Sequence, residues 1–228
     1  MKIRMRSFKA TDDKESCIRY LEGHVKVLQD YGITNITTNN SKWIDYDSVY
    51  GIVAESLDGK ELFGGVRVHC ADDIHSLPVE EAIGTMDKRI YALIKMYSEY
   101  GTGELCGLWN SKVIAGCGIS LLLVRAGISI VNQFNLTSIF TICADYTIPM
   151  VKRVGFIVET SIGKNGEFVY PNENYIARVL KRMNTVTLDT AEEYDKSRIF
   201  FLRNNPVQTY IEVGPKGEIE VEYKLLTS

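Results

Sequence analysis

The chain has 228 residues, 45% of them hydrophobic and 24% charged, with a formal net charge of −3. That is ordinary globular composition, sufficient for one well-buried domain, and the slight acidity gives no electrostatic case for nucleic acid or an anionic membrane surface. The longest apolar run, Ile119 to Val131, is interrupted by Arg125 and is too short to span a bilayer.

Met1 to Arg6 is basic and no long apolar segment follows it, so no secretory signal peptide is expected. The five cysteines (Cys17, Cys70, Cys106, Cys117 and Cys143) lack metal-ligand spacing. Their odd number predicts free thiols in a reducing cytoplasm, and no metal site. Thr11 to Tyr31 reads as a helix, with Thr11 or Asp12 as N-cap, Glu15 placed for a capping box, and Ile18, Leu21, Val25 and Leu28 on one face. Gly32 ends it, and Ile33 to Asp47 is a polar loop pinned by Trp43 and Tyr46. Val49 to Leu57 and Glu61 to His69 form a β-hairpin across Asp58-Gly59. One helix is predicted from Val79 to Tyr100, its amphipathic pattern weakened by Gly84.

The segment from Glu104 to Phe156 carries most of the information. Glu104 to Trp109 is a strand, Val113 to Gly118 a turn with two glycines, Ile119 to Val131 an apolar helix, and Ser138 to Ala144 a second strand. A short helix started by Pro149 follows, with Gly155 supplying its left-handed C-terminal residue. A glycine turn feeding a helix N-terminus presents free backbone N–H groups and a positive dipole end, which suits a phosphate; alone it is equally a tight strand-to-helix turn. A third glycine at Leu121, as a dinucleotide fingerprint requires, is absent, and so is a phosphate-loop Gly-Lys-Ser/Thr. Further on, Lys164-Asn165-Gly166 marks a turn, Asn174 to Met183 a strand (or a short helix), and Glu192 to Arg203 a helix. Gln208 to Val213 and Glu218 to Lys224 form a hairpin around Pro215-Lys216-Gly217, expected to extend the sheet or cover an edge.

This order of elements, closed by Gly155-Phe156, resembles the GNAT acyltransferase superfamily. The resemblance implies an α/β fold, GNAT-like, with a mixed, mostly antiparallel central sheet flanked by helices and splayed at its centre. It would occupy residues 1–184, with 185–228 as a helix-plus-hairpin appendix packed on the same domain. The implied donor is an acyl-CoA or an acyl-phosphopantetheine on acyl carrier protein, with no tightly bound cofactor. The superfamily's donor motif, Gln/Arg-x-x-Gly-x-Gly/Ala, is matched at Gly116 and Gly118, but its first position is Val113, leaving the adjacent Lys112 as a substitute. The donor-binding residues implied are Leu108, Trp109, Lys112, Gly116, Cys117, Gly118 and Ile119.

The sequence of His24 to Leu28, Tyr46-Asp47, Gly64 to Arg67, Leu77-Pro78 and Glu104-Leu105 resembles one branch of that superfamily, the N-acyl amino acid synthases and acyl-homoserine-lactone (autoinducer) synthases. An Arg-x-x-Val-Phe motif of the lactone synthases is here His24-Val25-Lys26-Val27-Leu28, and Glu-x-Ser-Arg-Phe is Glu104-Leu105-Cys106-Gly107-Leu108. Ile44 stands where an acidic residue is expected upstream of Tyr46-Asp47. Two arginines and a carboxylate are thus replaced, which implies a plain amino acid or related amine as acceptor rather than S-adenosylmethionine.

Amine attack on a thioester calls for a proton acceptor and an oxyanion donor. Glu104 is either that base or a solvated strand-end glutamate; backbone N–H groups from Cys106 to Leu108 would serve the oxyanion, Gly107 allowing close approach. Cys106 is a nucleophile or, in the plainer reading, a small core or groove residue. Val151 stands where many GNAT enzymes carry a tyrosine acid, and Tyr146 is out of register. Asp47, Arg67, Phe140 and Tyr146 are the substrate-side candidates, with Arg67 expected to pair with Glu104 or Asp47. Trp109 and Phe140 either pack in the core or line an acyl tunnel. Lys112, Arg125, Lys152 and Arg153 would make a basic rim for an acidic carrier protein. Two other readings stand beside this one, an acetyl-CoA-dependent N-acetyltransferase and a catalytically silent module that binds acyl thioesters. The sequence gives no oligomeric state.

Overall fold

A computed structural model describes residues 1–30, 32–33 and 40–227. The strands are β1 (Lys2–Lys9), β2 (Val49–Glu55), β3 (Leu62–Cys70), β4 (Gly103–Asn110), β5 (Ser138–Ala144), β6 (Ile157–Val158), β7 (Glu167–Val169), β8 (Ile176–Met183), β9 (Val207–Gly214) and β10 (Gly217–Lys224). The helices are α1 (Lys14–Asp30), α2 (Pro78–Ile83), α3 (Arg89–Ser98), α4 (Ile119–Ile130), α5 (Ile148–Arg153) and α6 (Glu193–Asn204). All ten strands join one sheet in the order β6-β8-β5-β4-β3-β2-β1-β10-β9, with β7 also on β8. Its pairs are antiparallel except β1–β10 and β4–β5. Helices cover both faces, giving the mixed, mostly antiparallel sheet flanked by helices that the resemblance implies.

Strand pleating sorts the core. Ile3, Met5, Ile52, Val66, Val68 and Leu105 pack beneath α4, α5 and α6. Phe8, Val49, Val53 and Trp109 pack with Cys17 and Tyr20 of α1. Farther along the same face, Phe140 and Val179 meet Val79 and Ile83 of α2 and Ile90 and Ile94 of α3. β5 has the predicted bounds, Gly155 takes φ 95 after α5, and the C-terminal hairpin extends the sheet.

Three local readings are corrected. Asp13, not Thr11 or Asp12, caps α1, its Oδ1 accepting the Ser16 N–H at 3.0 Å; the Tyr31 end of the predicted helix lies outside the described residues, as does the Thr34 to Asn39 part of the predicted loop. The buried face of α1 is Cys17, Tyr20 and His24, with Ile18 exposed, because the Trp109 ring fills the space that a side chain at Gly23 would take. The predicted Val79–Tyr100 helix is two helices. Tyr91 occupies the gap left by Gly84, and Asp87 Oδ1 accepts the Arg89 N–H at 3.0 Å to begin α3 anew. Among the described residues, no helix is long and apolar enough to cross a membrane.

A buried ion-pair network ties the C-terminal elements to α4. Arg125 donates from Nε to Asp195 Oδ1 at 2.6 Å, and Arg153 from Nε to Asp195 Oδ2 at 2.9 Å. Glu212 Oε1 accepts from Arg198 at 2.5 Å and from the Tyr223 hydroxyl at 2.8 Å, with Arg125 Nη1 3.6 Å from its Oε2. The predicted basic rim therefore loses Arg125, which is 4% exposed and spent on two carboxylates.

Candidate active site

The central strands make the site. β4 and β5 are parallel neighbours that pair at Glu104 and Phe140 and at no other position among the described residues. Beyond that point β4 carries an irregularity: its register with β3 runs from Arg67–Cys106 to Gly65–Trp109, leaving Gly107 and Leu108 opposite Val66. That is a bulge, a feature that re-aims side chains and frees backbone groups. Gly107 sits there at φ +61, and a Cβ on it would come within 2.5 Å of Tyr20 Oη and 3.3 Å of Arg67 Nε. The Tyr20 hydroxyl donates to the Gly107 carbonyl, tying α1 to the bulge. Gly107→Ala is expected to lower stability by about 1–3 kcal/mol through left-handed strain, read as a shifted midpoint in urea unfolding.

Glu104 is the second residue of this strand and is completely buried. Its Oε2 accepts the Val79 N–H at the start of α2 at 2.6 Å, while Oε1 has no hydrogen-bond partner. Burial pushes its pKa up to about 8, against the opposing pull of the Val79 N–H and the Arg67 charge. It is therefore not a solvated strand-end residue. On the same face, His24 is held down to about 3 and His69 well below its ordinary value, chiefly by burial and also by Arg67. Both histidines are neutral, each with one ring nitrogen unpartnered (His24 Nδ1 and His69 Nε2), and the indole N–H groups of Trp43 and Trp109 also lack partners. Buried polar atoms left unpaired call for an explanation, and a functional site is one such explanation.

Arg67 is fully buried, its guanidinium 4.1 Å over the Trp43 ring and 5.5 Å from the Tyr20 ring. It acts on Glu104 through its charge; the alternative pairing with Asp47 is overturned, because Asp47 is exposed and joined to Lys9 at 2.7 Å. Burial pushes the Cys106 thiol up to about 12, so it is a neutral packing group at physiological pH. Phe140 is buried edge-on to Tyr97, and Trp109 edge-on to Tyr20, so both are core residues. Tyr146 is 80% exposed.

The glycine turn opens on a cavity of 620 Å³. Gly116, Cys117, Gly118 and Ile119 form one wall, Pro149, Met150 and Arg153 of α5 another, and Val213, Gly214 and Pro215 of the C-terminal hairpin a third. Gly118 caps α4 at φ 91, and neither its N–H nor that of Gly116 makes a backbone hydrogen bond among the described residues. A helix N-terminus with free N–H groups of this kind suits an anion. Leu108 packs against the α4 core, and Lys112 pairs with Asp30 at 3.0 Å; neither lines the cavity. Asn110 does, and it lies three residues along β4 from Gly107, ~10 Å away in an extended strand. β4 thus joins an anion-suited cavity to a splay point where a buried acid sits. Tyr20, Trp43 and the hairpin tip are site elements not expected from the sequence. The buried aromatic of α1 was detectable from its Cys17-Tyr20-His24 spacing; the tip's contact was not.

No protein-family model matches the chain, and no curated protein matches it. Among solved structures it is similar to FeeM, an N-acyl amino acid synthase from uncultured soil microbes, with a TM-score of 0.59, 13% identity, and coverage of 79% of this chain and 90% of that one. It is also similar to BjaI, a CoA-dependent acyl-homoserine lactone synthase solved with SAM and isopentyl-CoA, with a TM-score of 0.54, 10% identity and coverage of 98% and 95%. A third is Escherichia coli ElaA, with a TM-score of 0.55, 12% identity and coverage of 79% and 99%. These likenesses establish the acyl-CoA N-acyltransferase fold.

Proposed function

We propose that the chain is an N-acyltransferase that moves an acyl group from a phosphopantetheine thioester, on coenzyme A or acyl carrier protein, to the amine of an amino acid or related small molecule. The observation that carries this is Glu104, buried with its pKa near 8 at the splay of β4 and β5, one strand length from the glycine-turn cavity. A general base works best when its pKa lies near the working pH. In the proposed reaction the amine nitrogen attacks the thioester carbonyl, and its proton passes to Glu104. The tetrahedral oxyanion is met by backbone N–H groups at the bulge, the C–S bond then breaks, and the thiolate takes a proton from solvent. The products are an amide and a free thiol.

The acceptor is best read as an amine other than S-adenosylmethionine. The two positions where the lactone synthases would place arginines, His24 and Gly107, come together in one buried cluster around Tyr20, and Arg67 is the cation beside them. The arrangement keeps a single positive charge where the resemblance would place more. The test is thiol release by purified protein supplied with acyl-CoA of two to sixteen carbons and a panel of amino acids and amines. Acceptor-dependent release is the expected result, and the preferred chain length separates long-chain transfer from acetyl transfer. Thioester binding with no turnover on any acceptor would instead mark a silent binding module.

A further inference from the structure

The glycine turn of this chain has Val113 where the donor motif carries a basic or amide residue, and Val113 is exposed and does not line the cavity. Lys112 is committed to Asp30, and the two arginines that line the cavity, Arg125 and Arg153, are both committed to Asp195. Each of these charges is already offset by a carboxylate, although Arg153 gives only its Nε and keeps both Nη groups. One cation near the turn has a different arrangement. Lys216, at the β9–β10 tip, donates from Nζ to the Ala115 carbonyl at 2.6 Å and makes no ion pair among the described residues. An ammonium carries three donors, so two remain for another acceptor.

The tip is fitted to the turn closely. A Cβ on Gly116 would come within 3.1 Å of Lys216 Cε and 3.4 Å of its Nζ, one on Gly118 within 3.0 Å of Pro215 Cδ, and one on Gly214 would overlap the Cys117 carbonyl. These three glycines let two backbones 101 residues apart in sequence lie against each other. Val213, Gly214 and Pro215 are one wall of the 620 Å³ cavity, and Lys216, which is not itself in that lining, stands next to it against Gly116. The tip is also held from behind, because β9 carries Glu212 into the buried network with Arg125 and Arg198.

We propose that Lys216 is the phosphate-binding cation of the donor site, supplied by the C-terminal hairpin in place of the residue missing at Val113. This rests on the donor reading given above. It assigns the hairpin a part in recognising the phosphate groups of a phosphopantetheine thioester, with the unpaired N–H groups of Gly116 and Gly118 taking the same anion.

Calorimetric binding of coenzyme A and of pantetheine, which has the same thiol arm without phosphates, tests it on the full chain. Lys216→Ala is expected to weaken coenzyme A binding by about tenfold, the scale of one lost charge-assisted hydrogen bond, and to leave pantetheine binding unchanged. Lys216→Arg should retain most of the affinity. Equal coenzyme A affinity in wild type and Lys216→Ala would overturn the inference. So would an equal loss for both ligands, which would mean that the hairpin merely shapes the cavity. If the wild-type chain bound neither coenzyme A nor acyl carrier protein, the donor reading itself would fall.

Discussion

Glu104→Gln is expected to lower turnover by about 10²–10⁴-fold, the range attributed to a positioned general base, and at the same time to make the protein more stable at neutral and alkaline pH. The two effects have one cause. The folded chain holds the Glu104 carboxyl near 8, against an ordinary value of 4.5. Below pH 4.5 the acid is protonated in both folded and unfolded states and contributes no difference. Between 4.5 and 8 the unfolded chain ionises it and the folded chain does not, so the folded state binds more protons and stability falls as pH rises. Above 8 both ionise and the penalty is constant. On the scale of 1.36 kcal/mol per unit, that penalty is on the order of 3–5 kcal/mol. Gln keeps an oxygen for the Val79 N–H and cannot ionise, so the gap between variant and wild type should open from pH 5 to pH 8 in thermal melts. Wild-type turnover should rise through about pH 8 as the base deprotonates. Unchanged turnover in a folded variant would remove Glu104 from the base role. Parallel melting curves at every pH would mean that the acid is not held neutral.

Asp195→Ala is expected to destabilise by about 3–5 kcal/mol, the cost of leaving a buried charge without its partner. Asp195 is fully buried and receives Arg125 Nε at 2.6 Å and Arg153 Nε at 2.9 Å. Its loss strands Arg125, whose remaining carboxylate neighbour among the described residues is Glu212 at 3.6 Å. For a chain of this size the melting temperature should fall by about 10 °C. By contrast, Glu193→Ala, which removes an exposed carboxylate 3.9 Å from Lys196, should change stability by under about 0.5 kcal/mol. Because the same network holds β9, the Asp195 variant should also bind coenzyme A more weakly than its folded fraction alone explains. A melt within one or two degrees of wild type would show that α6 and the hairpin are held by apolar contacts instead.

The central run of elements was legible because each carries its own local chemistry: the Gly116–Gly118 turn, the β-branched and aromatic strand Ser138–Ala144, and Gly155 at φ 95. β1 was missed although its signal is present. Lys2-Ile3-Arg4-Met5-Arg6 alternates with period two, and Ile3 and Met5 are wholly buried, but the arginines on the other side make the segment read as merely basic. The arginines are legible only with their partners, Glu55 for Arg6 and Glu222 for Arg4. The division of the second predicted helix was concealed because Gly84 reads as a weak helix position, while the Tyr91 ring that fills its gap arrives from the next helix. In the site, the position of Glu104 was readable and its burial was not, since the burial comes from α2 closing over the start of β4. Lys216 could not have been placed on the glycine turn by any local pattern, because the contact spans most of the fold.

The central claim is acyl transfer to an amine, and mass spectrometry of lipid extracts tests it most directly, comparing cells that express the chain with empty-vector cells and with cells expressing the Glu104→Gln variant. An N-acylated amino acid or related amide is expected in the first extract and is expected to be missing from both controls. The same amide at the same level in cells making folded Glu104→Gln protein, or no new amide from folded wild-type protein supplied with the amine panel and acyl donors, would contradict it.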